Sequence, residues 1–279
     1  MITESVIKDK KLHKTLGPIS GNLISALIRN KQNVFTINDA VEILKLSKKQ
    51  IRDLLSRLTK KGWLVRIQKD RYLLIPMNIE SDQAYTEHSF IIASKVIQPY
   101  YIGYWGMLNY YGYTEQLSNT VFIATPKRKK EVEISGVRYK FINIPQYKMF
   151  GIKEIKISES SIKVSDKEKT LIDCLDHPEY CGGIVEITKG LWNAKDEIDY
   201  NKIYQYSLDI KNTAVIKRLG YIFEVLKLTD RLNMSELKNK IARGFSLLDT
   251  LLPRKGNYIT RWNLLANVSR DDLLSCKGV

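Results

Sequence analysis

Apolar residues recur at helical spacing in the first part of the chain. The segment "PISGNLISALIRN" (18–30) repeats them every three to four residues, which predicts an amphipathic helix. These residues are Ile19, Leu23, Leu27 and Ile28. The run "VFTI" (34–37) predicts a short strand, and "INDAVEILKL" predicts a second helix. Its core-facing residues are expected to be Val41, Ile43 and Leu44. Asn38 or Asp39 is expected to cap this helix, because either side chain can accept from first-turn amides.

The signals for a third helix are sharper. Ser47 and Gln50 have the spacing of a capping box, and Gly62 stands where a left-handed C-cap ends a helix. An i, i+3, i+4, i+7 stripe between them predicts the buried face. The stripe consists of Ile51, Leu54, Leu55 and Leu58. The runs "WLVRIQ" (63–68) and "RYLLIP" (71–76) then predict a hairpin that turns at Lys69-Asp70, with Trp63 and Tyr72 in the core.

Helix, strand, helix, turn, helix and hairpin is the element order of a winged helix-turn-helix. We therefore predict such a DNA-binding domain over residues 1–78. In this motif the third helix enters the major groove of DNA by its N-terminal end, and the hairpin tip lies along the neighbouring backbone.

A second domain is predicted over residues 79–279. Strands are expected first, in "TVFIAT", "EVEISG", "VRYKFINI" and "ISESSIKVS", and helices afterwards. One helix should begin at a Ser165–Glu168 capping box, and others should span 214–228 and 234–252. The Tyr-rich segment 101–113 has helix-like spacing and is interpreted as a packing surface, not as a stacking platform for single strands. This grouping predicts an α+β fold.

The first domain carries most of the positive charge of the chain. The net charge is +15, and residues 1–76 contribute +10 of it, with 16 Lys/Arg against six Asp/Glu. Lys48, Lys49 and Arg52 crowd a helix N-terminus, where cations are unfavourable unless an anion binds. This pattern favours a polyanion partner, namely double-stranded DNA. The alternatives are a solvated helix face or a winged helix used for protein contacts.

Geometry divides the candidate DNA-binding residues into two roles. Lys49 and Arg52, with Gln50 or Ser56, are expected to reach base edges from the first two helical turns. Lys48, Lys69 and Arg71 are expected to contact phosphates. A further basic run comprises Lys127, Arg128, Lys129 and Lys130. It is either a solvated hairpin turn that protects a sheet edge or a second electrostatic contact.

Other classes of function find little support. No apolar run is long enough to span a membrane, and "MITESVIKDKKLHK" lacks the core of a signal peptide, so a cytoplasmic protein is expected.

Cys174, His177 and Cys181 could ligate zinc with Cys276 or His88, but a second closely spaced pair is missing, so neither metal nor cofactor is predicted. The carboxylates around one helix do not converge, and "GGI" (182–184) is not a phosphate-binding loop. These carboxylates are Asp166, Glu168, Asp173 and Asp176. We therefore predict no catalytic residues.

Several phrases together resemble one family. The winged-helix start, "YYIGYWGMLNYYG", "DKEKTLIDCLDHPEYCGG" and "VIKRLGYIFEVL" resemble the AbiEi antitoxins of AbiE-type, type IV toxin-antitoxin systems. The resemblance implies a repressor that binds inverted repeats in the promoter of its own operon. It also implies a C-terminal antitoxin domain that counteracts a nucleotidyltransferase-like toxin, with direct contact not required.

By this resemblance Lys48, Lys49 and Arg52 match recognition-helix positions, and Lys69 and Arg71 match the wing. In the second domain it implies structural roles for a further three residues, with the arginine paired to an inward carboxylate. These are Asp173, Arg218 and Gly220. Two other hypotheses remain: a winged-helix regulator or adaptor without a toxin partner, and a metal-dependent enzyme that carries a DNA-binding domain.

Overall fold

The protein divides into two compact units, Met1–His88 and Ser89–Val279. The structure, a computed structural model, describes residues 16–75, 82–134, 136–157 and 160–277. The division falls within a helix that spans Asp82–Val96. The boundary that the sequence suggested, after residue 78, lies outside the described residues.

The first unit has the element order that the sequence predicted. Its sheet is antiparallel, with strand order β1-β3-β2. The elements are α1 (Pro18–Arg29), β1 (Val34–Thr36), α2 (Ile37–Leu44), α3 (Lys48–Lys60), β2 (Leu64–Gln68) and β3 (Arg71–Leu74). The stripe of α3 is buried, as are Trp63 and Tyr72, so the predicted core face is confirmed.

Caps show where local sequence is decisive and where it is ambiguous. The Ser47–Gln50 capping box of α3 is confirmed, and Gly62 has a left-handed φ of 72° just after the helix. The predicted cap of α2 is wrong, because Thr36 is the N-cap and Asp39 is the third residue of a second capping box. Asn38 lies inside the helix, since β1 ends at Thr36 in extended conformation and the helix begins at once.

The predicted core face of α1 is partly wrong. Leu23, Ile24 and Leu27 are buried, but Ile19 and Ile28 are 51% and 57% exposed. At about 100° per residue, Ile19 and Ile28 lie on the two margins of the stripe centred on Leu27. The helix therefore buries a narrower face than the spacing suggested.

The second unit combines a six-stranded mixed sheet with helices and a small three-stranded sheet. The large sheet has the order β6-β7-β5-β4-β9-β8, with parallel pairs β5/β7 and β4/β9, and the small one β10-β12-β11. The strands are β4 (Tyr101–Ile102), β5 (Thr120–Thr125), β6 (Val132–Ile134), β7 (Val137–Asn143), β8 (Ile152–Ile157), β9 (Ser160–Ser165), β10 (Ser246–Leu247), β11 (Asn257–Ile259) and β12 (Leu264–Ala266). The helices are α4 (Asp82–Val96), α5 (Tyr104–Tyr110), α6 (Lys167–Asp176), α7 (Ile184–Ala194), α8 (Tyr200–Asp209), α9 (Thr213–Leu226), α10 (Met234–Asn239) and α11 (Arg270–Leu274).

Three predictions for this unit need correction, and three further strands were not predicted. The Tyr-rich segment is not one helix, because Tyr101 and Ile102 form β4 before α5 begins. The helix predicted over 234–252 ends at Asn239, and β10 follows at Ser246. Strands β8, β11 and β12 were not anticipated. Finally, the run 127–130 is no hairpin turn, because β7 lies between β5 and β6 in the sheet.

The start of α6 also differs from the prediction. Asp166 is the N-cap and accepts from the Lys169 amide at 2.8 Å, whereas Ser165 ends β9. The Ser165 hydroxyl pairs with Thr170, and the Glu168 carboxylate accepts from the Asp199 amide at 2.8 Å. The apolar side chains of α6, Leu171, Ile172 and Leu175, are buried in the main core of the unit.

Within the described ranges, no helix combines the length and apolar character that crossing a bilayer requires.

Candidate nucleic-acid interface

A groove of about 390 Å³ runs along one side of the first unit. Its walls are the start of α2, the first two turns of α3 and the turn between β2 and β3. Four cations line it, together with Thr36, Ile37, Asn38 and Asp70. The cations are Lys48, Arg52, Lys69 and Arg71. The structure thus brings together four of the seven residues predicted for DNA binding.

Local structure places each side chain in this groove. Lys48 and Arg52 are four residues apart on α3, so they project about 40° from each other on the same side of the helix. Thr36 is opposite Arg71 in the β1/β3 ladder, which brings the hairpin to the start of α2. Asp70 has a left-handed φ of 58°, and its carbonyl accepts from the Ile37 amide at 3.2 Å. The hairpin turn is therefore tied to α2.

The positive charge of the interface is not neutralised. In the part of the chain that the structure describes, no carboxylate lies within ion-pair distance of the four groove cations or of Lys49. The first turn of α3 has no acidic residue, and its amide groups add a partial positive charge. An anion that entered the groove would meet only one carboxylate there, that of Asp70.

Lys49, Ser56 and Gln50 occupy other parts of α3. Lys49 and Ser56 are exposed on the outer face, opposite the buried stripe. Gln50 projects about 160° away from Arg52 and lines a second groove, of about 480 Å³, beside α1. Its Oε1 atom accepts from the Ser47 amide at 3.1 Å and from the Ser47 hydroxyl at 2.8 Å. The Gln50 oxygen is therefore engaged in the cap of the helix.

The four cations of the second basic run, 127–130, also differ in their exposure and contacts. Lys127, Arg128 and Lys130 are exposed. Lys129 donates to the Val96 carbonyl at 2.9 Å and lies over the Phe141 ring, and burial lowers its pKa. Lys129 therefore anchors the connection after β5. The other three cations of the run are available to a partner.

Buried charges in the second unit are satisfied internally. Lys169 forms an ion pair with Asp173 and donates to the Tyr101 hydroxyl at 2.9 Å. That hydroxyl donates to Asp173 at 2.8 Å. Burial raises the pKa of Asp173, and the Lys169 ammonium opposes this effect. The predicted structural candidate Asp173 thus belongs to a closed triad with Lys169 and Tyr101.

Among the described residues Arg218 has no carboxylate partner, contrary to the expectation. Its guanidinium donates to three backbone carbonyls, at 2.6 to 3.1 Å. These belong to Leu175, Leu247 and Leu248. Gly220 lies against Trp262, and a Cβ atom there would come within 2.2 Å of the indole ring. Both residues therefore join α9 to its neighbours.

The Cys174, His177 and Cys181 side chains do not converge on a metal site. Both cysteines are buried, whereas the His177 ring stacks on Tyr180 and its Nδ1 lies 2.9 Å from Glu179. No group of three or more His, Cys, Asp or Glu side chains within the described ranges could hold a metal ion. The carboxylate Asp176 binds Lys148 and Asn212 instead.

Sequence reasoning missed two contributions to these sites. Thr36 and Asn38 line the basic groove, and the spacing Thr36-x-x-Asp39 was a capping-box signal for the start of α2. The Asp249 carboxylate accepts a hydrogen bond from the Ile184 amide at 2.7 Å and so caps the N-terminus of α7. No local signal marks this second contact, because the two residues are 65 positions apart.

The comparison with protein families concerns the first unit. Residues 22–75 match a family model described as "Transcriptional regulator, AbiEi antitoxin". The resemblance to AbiEi antitoxins is thereby confirmed for the residues that form the groove. The match does not include the phrases between residues 100 and 226, for which the resemblance stays a prediction.

The fold of the whole chain is similar to a solved structure, the RV2827C protein from Mycobacterium tuberculosis. The TM-score is 0.68 at 15% sequence identity, and the match covers 95% of this chain and 96% of that chain. At this identity the similarity concerns the fold alone. No curated protein sequence matches the chain.

Proposed function

We propose that the first unit is a winged helix-turn-helix and that the protein is a DNA-binding transcriptional regulator of the AbiEi antitoxin type. The observation that carries this proposal is the groove in which Lys48, Arg52, Lys69 and Arg71 converge without ion-pair partners among the described residues. The match of residues 22–75 to an AbiEi antitoxin family model supports it.

In this proposal α3 enters the major groove of DNA by its N-terminal end. Lys49, Arg52 and Ser56 face the base edges, and Lys48, Lys69 and Arg71 hold phosphates on the side of the hairpin. Because the Gln50 oxygen caps α3, we assign Gln50 to positioning the helix instead of reading bases. The three exposed cations of the 127–130 run form a secondary electrostatic contact.

The regulatory role that we propose is repression of the protein's own operon through inverted repeats in its promoter. The second unit then counteracts a nucleotidyltransferase-like toxin in the cytoplasm, with no catalytic step of its own. The triad of Lys169, Asp173 and Tyr101 maintains the shape of this unit, since all three side chains are buried and bonded to each other.

The direct test is binding of the full chain to its own upstream DNA, titrated against salt. We expect preference for an inverted repeat over random duplex and a steep decrease of affinity with salt. Lys49→Ala and Arg52→Ala should each weaken binding by about 10-fold or more. Lys60→Ala is the matched control, because it removes the same charge from an exposed position in the last turn of α3.

Equal affinity for random and upstream DNA would refute specific repression and favour a winged-helix adaptor that acts through protein contacts. The antitoxin role is tested separately, by co-expression with the candidate toxin. An Arg52→Ala chain should lose repression and still protect cells when it is expressed from an unrelated promoter. Loss of protection in a well-folded Arg52→Ala protein would contradict the division of labour between the two units.

A further inference from the structure

Residues 238–261 of the second unit expose charge of a single sign. They contain six cations and one carboxylate, Asp249, which is buried and caps α7. All six cations are exposed, and within the described residues only Arg261 has a carboxylate partner, Glu224 at 2.8 Å. The six are Lys238, Lys240, Arg243, Arg254, Lys255 and Arg261. We call the exposed side chains of this segment the 238–261 surface.

Large apolar side chains are exposed among these cations. The segment holds four of the nine large hydrophobic residues that are exposed in the described part of the chain. They are Phe245 (37%), Leu251 (53%), Leu252 (43%) and Tyr258 (64%). Such a concentration in one short segment indicates an interaction site, because single scattered apolar residues are the ordinary case on protein surfaces.

The backbone beneath these side chains is held firmly. The Asn267 amide group donates to the carbonyls of Asp249 and Pro253 at 2.8 and 3.2 Å. Lys217, itself buried, donates to the Gly244 carbonyl at 2.7 Å. At Gly256 the chain passes so close to Ala266 that a Cβ atom would lie 2.0 Å from the Ala266 oxygen. A partner would therefore bind a surface that is already ordered, at a small entropic cost.

The composition selects the class of partner. Phe245 and Tyr258 pack edge to face, with ring centroids 4.8 Å apart, and so form one aromatic pair within the surface. Exposed leucines gain nothing from a phosphate backbone, whereas Tyr, Phe and Arg are enriched at protein interfaces. Five cations without carboxylate partners among the described residues favour a partner of opposite charge.

We infer that the 238–261 surface binds an acidic protein segment in which apolar side chains alternate with carboxylates. The leucines and the aromatic pair contact the apolar side chains, and the surrounding lysines and arginines pair with the carboxylates. This binding is independent of the proposed DNA contact, because it uses none of the residues that we assign to DNA.

The probe for this inference is a labelled random copolymer of glutamate and tyrosine, added to the full chain. We expect it to slow amide hydrogen exchange in residues 243–258. Polyglutamate of the same length should bind more weakly by about fivefold or more, since it lacks apolar side chains. Two double variants, Leu251→Ser with Leu252→Ser and Arg254→Ser with Lys255→Ser, should each reduce copolymer affinity by a similar factor.

A matched control removes the same charge elsewhere. Lys127→Ser with Arg128→Ser takes two exposed cations from the second basic run and should leave copolymer binding within about twofold of the wild type. Lys48→Ser with Arg52→Ser should abolish duplex binding without affecting the copolymer, so failure of the proposed function and failure of this inference are distinguishable. Thermal unfolding of every variant verifies that it is folded.

Four results would overturn the inference. The first is no protection of 243–258 by the copolymer, and the second is equal weakening by the 127/128 control, which would indicate non-specific attraction. The third is protection of the same residues by a 30-base-pair duplex or by phosphatidylglycerol vesicles in place of the copolymer. The fourth is protection that rises with protein concentration in the absence of probe, which would assign the surface to self-association.

Discussion

Lysine and arginine serve opposite purposes in the groove of the first unit and in the core of the second. In the first unit, Lys48 and Arg52 line an open groove and have no carboxylate partner among the described residues. In the second unit, Lys169 and Arg218 are buried and bonded to a carboxylate, a hydroxyl or backbone carbonyls. The cations of the groove therefore contribute little to folding and remain available to a partner, whereas the buried ones are part of the core.

The largest expected effect comes from the buried triad. Asp173→Ala should lower the free energy of unfolding by about 3–5 kcal/mol, because it leaves the Lys169 ammonium buried without its counter-ion. Urea denaturation measures this change, and Asp230→Ala, at an exposed carboxylate, is the control. Joint replacement by Lys169→Met and Asp173→Leu should recover most of the loss. A loss below about 1 kcal/mol for Asp173→Ala would show that this charge pair is not essential to the core.

The next effect concerns packing without charge. Gly220→Ala should destabilise the protein by about 1–3 kcal/mol, because its Cβ would overlap the Trp262 ring. Gly21→Ala is the matched control in α1, where a Cβ meets nothing within 4 Å. The control should be neutral or stabilising by up to about 1 kcal/mol, as alanine favours helix. Equal effects of the two substitutions in thermal unfolding would contradict the close contact of α9 with Trp262.

Removal of groove cations should change binding and leave stability almost unaltered. Lys48→Ala and Arg52→Ala should each shift the free energy of unfolding by less than about 0.5 kcal/mol, since both side chains are exposed. Lys48→Ala should also reduce the slope of log affinity against log salt by about 1 in duplex binding, because we assign Lys48 to a phosphate contact. A destabilisation comparable to that of Asp173→Ala would remove the contrast between the two units.

The smallest effect is expected from a carboxylate at the surface of the second unit. Burial alone would raise the pKa of Glu179, but hydrogen bonds from His177 and Thr250 lower it from 4.5 to about 2. A depressed pKa adds stability above pH 4.5, and this contribution disappears as pH falls towards 2. The melting temperature of the wild type should therefore exceed that of Glu179→Gln at pH 5 and converge with it near pH 2. Glu131→Gln, at an exposed site, should show no such convergence.

Local sequence patterns were sufficient to predict an element when all of its signals lie within that element. The stripe, cap and C-terminal glycine of α3 all lie within Ser47–Gly62, and each was predicted correctly. At the start of α6 the predicted cap, Ser165, lies one residue before the observed cap, Asp166. The choice follows from β9, which extends to Ser165 because Val164 pairs with Ile102. Such a long-range pairing cannot be read from local spacing.

The candidate site shows the same limit. The shared side of Lys48 and Arg52 follows from helical periodicity, and the proximity of Lys69 and Arg71 follows from the hairpin. Their convergence with Thr36 depends on the β1/β3 ladder, which joins residues 35 positions apart. The role of Gln50 was ambiguous for a different reason. Its side chain could either cap the helix or contact DNA, and both roles were consistent with the sequence.

The strand order of the large sheet also has a consequence for biosynthesis. Strand β4 pairs with β9 through Ile102 and Val164, so that side of the strand stays open until about 60 further residues have been translated. At roughly 5–20 residues per second, this takes several seconds on the ribosome. The ladders of the first unit are complete by Leu74. A nascent chain would therefore carry a folded N-terminal unit before β9 is available to complete the large sheet of the second unit.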